Sequence, residues 1–412
     1  RKFKRGLPEL EIGKPRELDS ILKDLTNPDL LIHGSSRLMV NIHELQKYHQ
    51  DKIEQNLDAI YGALRVLNHK LPVLNFREFG ILVTLNDKYY PNDKQLWTEI
   101  SQNLQRAVQG WNEYERDVLA IESLKKNLIH ITNSVYNASK RLDINIEDLA
   151  MLMRKAFNDK MDTIKDVKEL ILFYTTLSRM PGESSPTLLT KVAERALAKK
   201  DSVQMVDTVW LIQSVSKTAK TETQLLEQLV NLFVEKFNNK SEQRIDRVAI
   251  VAQSLGNAKL KHAKFIDLAG KYVENNLNQL TNPKDLCFIA ESFVRLNIAN
   301  PKVFSHIEKA IDAHLGELSY NSLRQLIYSA TGNPAYNPEF THKLYARIKA
   351  IVEKEVGSKK SKLGGKDIEY IIKNCGNWDT PEGKFTQTEV YYTLLAALGG
   401  EVKAQAARAI AA

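Results

Sequence analysis

A recurring segment of about 38 residues restricts the fold of this chain more than any other feature. Five stretches share one apolar pattern, namely "LFYTTLSRM", "WLIQSVSKT", "IVAQSLGNA", "FIAESFVRL" and "QLIYSATGN". A hydroxyl residue occupies the same place in each stretch, at Thr176, Ser214, Ser254, Ser292 and Ser329, with intervals of 38, 40, 38 and 37 residues. Each stretch is followed by a second apolar segment with helical spacing, such as "FSHIEKAI". The pattern predicts two-helix repeats, helix A and then helix B, from Asp166 to Lys360.

The repeat predicts the architecture. One helical hairpin cannot bury both sides of its apolar stripe, whereas stacked hairpins form a continuous core. We therefore expect an all-α fold, a right-handed α-solenoid of about seven to eight stacked two-helix hairpins. The hydroxyl position is expected to be buried, so that neighbouring A helices approach closely and each hydroxyl donates to a carbonyl one turn back. A ligand-binding row of hydroxyls is the alternative. No segment alternates apolar and polar residues convincingly, so strands are not predicted.

The repeat pattern also divides the chain. Less regular units upstream place Thr84 and Ala138 in the hydroxyl position, and the interval between them leaves room for an extra helix around Tyr114 to Lys126. We divide the sequence into a divergent N-terminal extension with helices (1–75), irregular repeats (76–165), regular repeats (166–356), a basic Gly/Lys linker (357–366), and C-terminal capping helices with a tail (367–412). The stretches Arg1–Arg16 and Gly357–Lys366 are predicted to be flexible linkers.

Composition narrows the class of protein. The chain has 412 residues, of which 43% are hydrophobic and 26% charged, which is typical of a folded protein. No run approaches the roughly 20 apolar residues of a membrane-spanning helix, so no transmembrane segment is predicted. Fifty-eight Lys and Arg against fifty Asp and Glu give a net charge of +8. This mild excess suits a polyanionic partner or a basic compartment.

Motifs of catalysis and cofactor binding are absent from the sequence. The glycines are scattered, and "LGGK" lacks the spacing of a phosphate-binding loop. The two cysteines, Cys287 and Cys375, lie far apart in helix-like contexts, which excludes a disulfide framework and a thiolate zinc site. The nine histidines are dispersed, and His306 and His342 are expected to be exposed on successive B helices. We predict a chain that is not an enzyme, with no cofactor, no metal and no small-molecule substrate.

Basic residues are the remaining functional signal. The candidate RNA-binding residues form clusters at Lys140, Arg141, Arg154, Lys155, Lys199, Lys200, Lys259, Lys261, Lys264, Lys359, Lys360 and Lys362. Several lie at A–B turns or B-helix starts, so stacking would bring them to one edge of the solenoid. Such an edge can follow a phosphate backbone without reading sequence. Ordinary solvated turns are the alternative. The aromatic residues Tyr89, Tyr90 and Tyr336 do not recur in register, so a base-reading code is not expected.

The repeat unit "FIAESFVRLNIANPKVFSHIEKAI" resembles the helical repeats of RNA-binding families in organelles. These are the octotricopeptide-repeat proteins of algae and the related repeats of FAST-kinase-like and RAP proteins of mitochondria. The resemblance covers roughly Phe76 to Lys360, without a "PPxxW"-like element and without a RAP-type domain after Lys366. It implies an organellar protein that acts in RNA processing, in translation, as a ribosome component, or as a purely structural subunit.

These features lead to one leading hypothesis and two alternatives. The leading hypothesis is a non-catalytic scaffold of the mitochondrial matrix that binds structured RNA, as a lineage-specific subunit of the mitochondrial ribosome. The first alternative is a structural or peripheral subunit of a large mitochondrial membrane complex, such as an ATP synthase, with protein partners and no RNA. The second is an organellar RNA-processing or stability factor, which would need a base-reading code.

The two ends of the sequence add expectations about targeting and assembly. The chain begins at Arg1 with a basic stretch, as removal of a mitochondrial presequence would leave it, and a truncated start is the other explanation. The terminal segments "RKFKRGLPEL" and "GGEVKAQAARAIAA" are expected to order only on neighbouring subunits. A continuous basic edge favours RNA as the partner, and exposed apolar patches favour protein partners.

Overall fold

A computed structural model describes residues 16–74, 76–113, 122–183, 185–277, 282–332, 337–356 and 363–411. The chain divides into two compact units, Arg1–Leu188 and Leu189–Ala412. Almost every described element is an α-helix, so the predicted all-α fold is confirmed.

The described part of the first unit contains nine complete helices. They are α1 Leu18–Leu25, α2 Pro28–His33, α3 Ser35–Tyr48, α4 Leu57–His69, α5 Phe76–Tyr89, α6 Lys94–Glu113, α7 Glu122–Leu142, α8 Glu147–Lys160 and α9 Val167–Arg179. Helix α10, Pro186–Ala198, contains the boundary between the units.

The second unit contains the remaining regular elements. Its helices are α11 Met205–Thr218, α12 Thr223–Phe237, α13 Ile245–Ala258, α14 Ala263–Asn275, α15 Pro283–Arg295, α16 Pro301–Asp312, α17 Tyr320–Gly332, α18 Pro338–Glu355, α19 Gly365–Cys375 and α20 Glu389–Ala411, and its strands are β1 Asp379–Thr380 and β2 Gly383–Lys384. Short 3₁₀ turns in the two units lie at Gln50–Lys52, Glu54–Asn56, Leu71–Val73, Met161–Thr163, Lys200–Ser202, Lys240–Glu242, Leu315–Glu317 and Phe385–Gln387.

Within each unit, A helices pack on A helices and B helices pack on B helices. In the first unit α5 packs on α7, α7 on α9, and α6 on α8. In the second unit the A helices α11, α13, α15, α17 and α19 pack in sequence order, and the B helices do so from α12 to α14 and from α14 to α16. Among the described residues, consecutive helices from α5 to α20 form eight pairs, within the predicted seven to eight. The stacked-repeat architecture of an α-solenoid is therefore confirmed.

Aromatic side chains pack between neighbouring helices of the second unit, both within the B row and between the A and B rows. The rings of Phe233 on α12 and Phe265 on α14 have centroids 5.9 Å apart, and those of Phe293 on α15 and Phe304 on α16 are 6.4 Å apart. All four side chains are fully buried. Burial of these large apolar surfaces, supplied by successive helices, is what makes each repeat depend on its neighbours.

The hydroxyl position behaves as predicted in four of the five regular repeats. Hydroxyls of buried residues donate to the carbonyl oxygen four residues back, at Thr176 (3.0 Å), Ser254 (2.8 Å), Ser292 (2.7 Å) and Ser329 (2.8 Å). Ser214 is half-buried instead, and Ser216 takes the buried place in α11. Upstream, Ala138 is buried as a packing residue, whereas Thr84 is exposed and bonds His130 at 2.7 Å.

Small residues let neighbouring repeats of the second unit approach closely. A Cβ atom placed on Gly256 of α13 would lie 3.4 Å from the Cβ of Ser292 on α15. In the B row, a Cβ on Gly270 of α14 would lie only 2.9 Å from Val303 on α16. Both helix–helix contacts therefore depend on the absence of a larger side chain.

Asn-Pro pairs start three of the helices in the second unit. The Asn side chain accepts a hydrogen bond from a backbone N–H of the first turn, and Pro occupies the first helical position, at Asn282-Pro283, Asn300-Pro301 and Asn337-Pro338. Asn is a favoured N-cap, and Pro at the first position loses no helical hydrogen bond. Sequence punctuation thus marks the start of the A helix α15 and of the B helices α16 and α18.

The structure differs from the sequence-based expectations at one hairpin, and two further expectations fall partly outside the described residues. Strands β1 and β2, of two residues each, form an antiparallel hairpin in which Gly383 has a φ of +106°. The prediction that the chain has no strands was therefore wrong at this place. Of the region proposed as an extra helix, residues 114–121 lie outside the described part, and the residues from Glu122 onward belong to the start of α7. Residues 357–362 of the predicted linker also lie outside it, and α19 already begins at Gly365.

Candidate nucleic-acid interface

Five exposed lysines lie at two neighbouring A–B turns of the second unit. We name these residues the basic edge: Lys217, Lys220, Lys259, Lys261 and Lys264. Because α11 packs on α13 and α12 on α14, the two turns lie side by side at one end of the hairpins. None of the five forms an ion pair with any residue that the structure describes. Their charges are therefore available to an anionic partner.

The α13–α14 turn displays three of these lysines from a closed backbone. Lys259 ends α13 in the left-handed conformation, with φ 53°. The Leu260 N–H then donates to the carbonyl oxygen of Leu255 at 3.1 Å. Hydrogen bonds of this kind satisfy the last carbonyls of a helix and fix the direction of the following chain. The turn is therefore a defined structure.

The buried side chain of His262 stabilises this turn. Its buried ring accepts a hydrogen bond from the Phe265 N–H at Nδ1, 3.1 Å away, as the N-cap of α14. Because Nδ1 is an acceptor, Nε2 carries the proton and donates to Asn231 Oδ1 at 2.9 Å. Burial lowers the pKa of His262, and the positive charge of Lys264 lowers it further. The neutral imidazole is the form that holds the lysine turn in place.

Three basic side chains at the opposite end of the hairpins form ion pairs. Lys200 lies 3.6 Å from Glu235, between the α10–α11 turn and the end of α12. At the α12–α13 turn, Arg244 pairs with Asp246 at 2.8 Å and Arg247 pairs with Glu242. Lys200, Arg244 and Arg247 are thus compensated by acidic residues, whereas Lys240 is exposed and forms no ion pair with the described residues. The two ends of the hairpins differ in electrostatic character.

Arg154, a predicted phosphate contact, has a structural role. Its guanidinium donates to the carbonyl oxygens of Pro181 (2.6 Å), Met180 (2.7 Å) and Leu177 (3.0 Å). These carbonyls belong to the C-terminal end of α9 and the turn that follows, where no helical N–H is left to pair with them. Arg154 is therefore a helix cap, whereas its neighbour Lys155 is exposed.

Lys140 and Arg141, the candidate pair at the end of α7, also differ from each other in role. Arg141 donates from Nε to the Pro91 carbonyl oxygen at 2.8 Å, and its guanidinium lies 5.9 Å from the Trp97 ring centroid. This arginine ties the α7–α8 turn to the α5–α6 turn. Lys140 is exposed, with Nζ 5.3 Å from the Tyr136 ring centroid. Both side chains are exposed, but the Arg141 guanidinium is already engaged within the fold, so Lys140 is the residue of this pair whose charge is available to a phosphate.

The remaining candidates have different positions. Lys199 and Lys200 are exposed at a B–A turn, at the end of the hairpins opposite the basic edge. Lys359, Lys360 and Lys362, together with Tyr336, lie outside the described residues.

Tyr89 is buried, and its hydroxyl accepts a hydrogen bond from Gln46 at 2.8 Å, so it is a packing residue. His306 and His342 are half-buried, so the prediction of exposed histidines was wrong.

Sequence reasoning missed a groove that is lined by residues of α13, α15, α17 and α19. We name it the aromatic groove, and it is lined by Lys284, Phe288, Arg295, Arg324, Tyr328 and Tyr370, with a volume of about 590 Å³. In two of its cation–ring pairs, Arg295 with Tyr328 and Arg324 with Tyr370, an arginine of one A helix lies beside a tyrosine of the next. The arginine and the tyrosine occupy different positions within their repeats. A search for one aromatic position in register could not detect such pairs. The signal available in sequence was the density of Arg and Tyr on these helices.

Comparison with known proteins adds no identification. No protein-family model matches the chain, and no curated protein is a significant match. Within the described ranges, no helix is long and apolar enough to cross a membrane. Likewise, the described His, Cys, Asp and Glu residues form no group of three or more that could hold a metal ion. Function is therefore inferred from the geometry of the basic edge and the aromatic groove.

Proposed function

We propose that this chain is a non-catalytic helical-repeat scaffold that binds structured RNA through phosphate contacts at the basic edge. The observation that carries the proposal is the contrast between the two ends of the hairpins in the second unit. Lysines at the α11–α12 and α13–α14 turns form no ion pair with the described residues, whereas Lys200, Arg244 and Arg247 at the opposite turns are each paired with an acidic residue. Of the sequence-based candidates, Lys259, Lys261 and Lys264 belong to this edge, and Lys217 and Lys220 join them.

Lysine ammonium groups at a turn suit phosphate oxygens better than base edges. Each is a compact charge on a flexible stem, so it neutralises a phosphate without imposing a geometry on the base. Binding of this type is largely independent of sequence and depends steeply on salt, because each contact releases a counterion. A scaffold that holds folded RNA in a large assembly needs this property.

We place the scaffold in the mitochondrial matrix, as a lineage-specific subunit of the mitochondrial ribosome. The resemblance of the repeats to organellar RNA-binding families supports this assignment. The protein would then contact both ribosomal RNA and neighbouring protein subunits. The alternative that would also have RNA as its partner is an organellar RNA-processing or stability factor.

Sedimentation of a gentle mitochondrial extract, with and without ribonuclease, tests this function. The proposal expects the protein to migrate with ribosomal RNA and to leave those fractions after digestion. Co-migration with a membrane complex, unchanged by ribonuclease, would contradict it. An unrelated subunit of a known membrane complex, followed in the same gradient, is the control for general disruption.

A second candidate function is supported by the last helix. Tyr392 and Leu395, one turn apart on α20, are 60% and 39% exposed. Large apolar side chains on one helix face mark a surface for another protein. They favour the alternative of a structural or peripheral subunit of a large mitochondrial membrane complex, such as an ATP synthase, without RNA. The ribonuclease-resistant outcome of the sedimentation experiment would support this candidate.

A further inference from the structure

The aromatic groove contains three pairs of a cation and an aromatic ring. Lys284 Nζ lies 6.0 Å from the Phe288 ring centroid on the same helix. Arg295 of α15 lies 5.7 Å from the Tyr328 ring of α17, and Arg324 of α17 lies 4.5 Å from the Tyr370 ring of α19. The last two pairs bridge successive A helices. A row of planar groups thus extends across the repeats.

Hydrogen bonds hold the groups of this row in fixed positions. Arg295 donates to Glu291 at 2.7 Å and to Asn257 at 3.3 Å. The Tyr370 hydroxyl donates to the backbone carbonyl oxygen of Arg324 at 3.3 Å, which holds its ring beside that residue. The Arg324 guanidinium itself is exposed and forms no ion pair with the described residues. Rigid planes that are already stacked on one side lose little entropy when a third ring stacks on them.

Hydrogen-bond acceptors lie on the floor of the groove. Gln325 Oε1 is buried and has no hydrogen-bond partner among the described residues. Glu291 is half-buried, and burial raises the pKa of its carboxyl group. A buried acceptor without a donor costs free energy, which a bound ligand with N–H groups recovers. The exocyclic amino groups and ring N–H groups of nucleobases are such donors.

We propose that the aromatic groove binds nucleotides whose bases are unpaired. The base stacks on the planes of Arg324 and Tyr328, its N–H groups reach Gln325 and Glu291, and the phosphate faces Lys284. Stacking of unpaired bases on Tyr rings and Arg planes is a general mode of RNA recognition. A volume of about 590 Å³ is within the range of sites for small molecules. The bound species is a free nucleotide or a nucleotide within an RNA strand, and the second form rests on the proposed function.

An acidic peptide is the less suitable occupant. Its carboxylates would meet the Glu291 carboxylate on the floor of the groove, where like charges repel. Its side chains would also leave the Gln325 acceptor without a donor. Nucleotides combine the three chemical features that the groove matches, namely a flat ring, N–H donors and a phosphate.

The test measures binding of two probes to the full chain. One probe is a fluorescein-labelled single-stranded oligoadenylate, followed by anisotropy, and the other is AMP, followed by calorimetry. Tyr328→Leu and Arg324→Gln are each expected to weaken binding about tenfold. Tyr328→Phe keeps the ring and is expected to bind like the parent. Tyr392→Leu on α20 is the matched control for loss of a tyrosine, and thermal unfolding shows that each variant folds.

The outcomes distinguish the source of the nucleotide and the two proposals. AMP and oligoadenylate binding that both depend on Tyr328 would identify a nucleotide site open to the free molecule, and oligoadenylate binding alone would identify a strand-binding site. Binding of both probes unchanged by Tyr328→Leu and Arg324→Gln, or no binding of either, would overturn the inference. So would a polyglutamate peptide that binds through Tyr328 when oligoadenylate does not. Duplex RNA binding, which depends on Lys259, Lys261 and Lys264, is measured separately and reports on the proposed function alone.

Discussion

The guanidinium of Arg154 donates a hydrogen bond of 2.6 Å to the carbonyl oxygen of Pro181, in the turn after α9. Two further bonds join it to the last carbonyls of that helix. A residue that looks like a phosphate contact in the sequence is therefore occupied within the fold. Burial also lowers the pKa of this guanidinium, as expected for a charge that is partly removed from water.

Replacing this cap is expected to affect stability and leave RNA binding unchanged. Arg154→Ala should lower the free energy of unfolding by roughly 1.5 to 3 kcal/mol, since buried carbonyls lose a charged donor. Urea denaturation measures this loss. The neighbouring exposed residue supplies the control, because Lys155→Ala should change stability by less than about 0.5 kcal/mol. A loss of duplex RNA affinity in a folded Arg154→Ala variant would contradict the structural role.

Two glycines in helices should respond in opposite directions to the same change. Gly270→Ala should destabilise the protein by about 1 to 3 kcal/mol, because its new Cβ would meet Val303 of α16. Gly62 of α4 has open space around the corresponding position. Gly62→Ala should therefore stabilise the protein by about 0.5 to 1 kcal/mol, through helix propensity alone. Equal effects of the two changes on the urea midpoint would argue against close B-row packing.

His262 should make stability fall on the acidic side of neutrality. Its folded-state pKa lies below the ordinary value, so protonation favours the unfolded chain. The contribution is fully present above about pH 6.5 and is lost as the pH falls through the lower, folded-state pKa. Urea midpoints for the parent and for His262→Asn, which retains an N-cap acceptor, should diverge less at pH 5 than at pH 8. A parent protein that gained stability over the variant on acidification would refute the neutral-imidazole assignment.

Glu308 should produce the opposite pH dependence. Burial raises the pKa of its carboxyl group to about 7, and its Oε1 accepts from the Asn337 N–H at 3.3 Å. A raised pKa contributes stability that is fully present below the unfolded value of about 4.3 and is lost as the pH rises through 7. The parent should therefore lose more stability between pH 5 and 8 than Glu308→Gln does. Parallel urea midpoints for the two proteins would show that Glu308 does not titrate in this range.

The sequence predicted the helices and their stacking well because both depend on local patterns. Apolar spacing and Asn-Pro punctuation act within a few residues, and they are visible at Asn300-Pro301 without any tertiary information. The buried hydroxyls followed from the same reasoning, since Ser292 and Ser254 recur where small side chains are needed. The Ser214 repeat differs because Ser216 occupies the buried place in α11, which depends on how that helix is rotated.

The candidate site was less predictable because charge alone does not reveal a partner. Arg154 and Lys155 are adjacent in sequence, yet one caps α9 and the other is exposed. The Lys200–Glu235 pair joins residues of different helices, so its formation follows from packing. The aromatic groove likewise arises from pairs such as Arg324 and Tyr370, which are brought together only by the stacking of α17 on α19.

The measurement that tests the central claim most directly is the salt dependence of binding to a short RNA duplex. The parent is compared with Lys259→Gln/Lys261→Gln/Lys264→Gln on the basic edge and with Lys199→Gln/Lys200→Gln/Lys240→Gln, which removes the same charge at the opposite turns. Between about 50 and 200 mM salt, the basic-edge variant should bind more weakly, with a log–log slope shallower by about 2 to 3. The opposite-edge variant should retain the parent slope. Equal slopes for all three proteins, or no duplex binding by the parent, would contradict RNA binding by the basic edge.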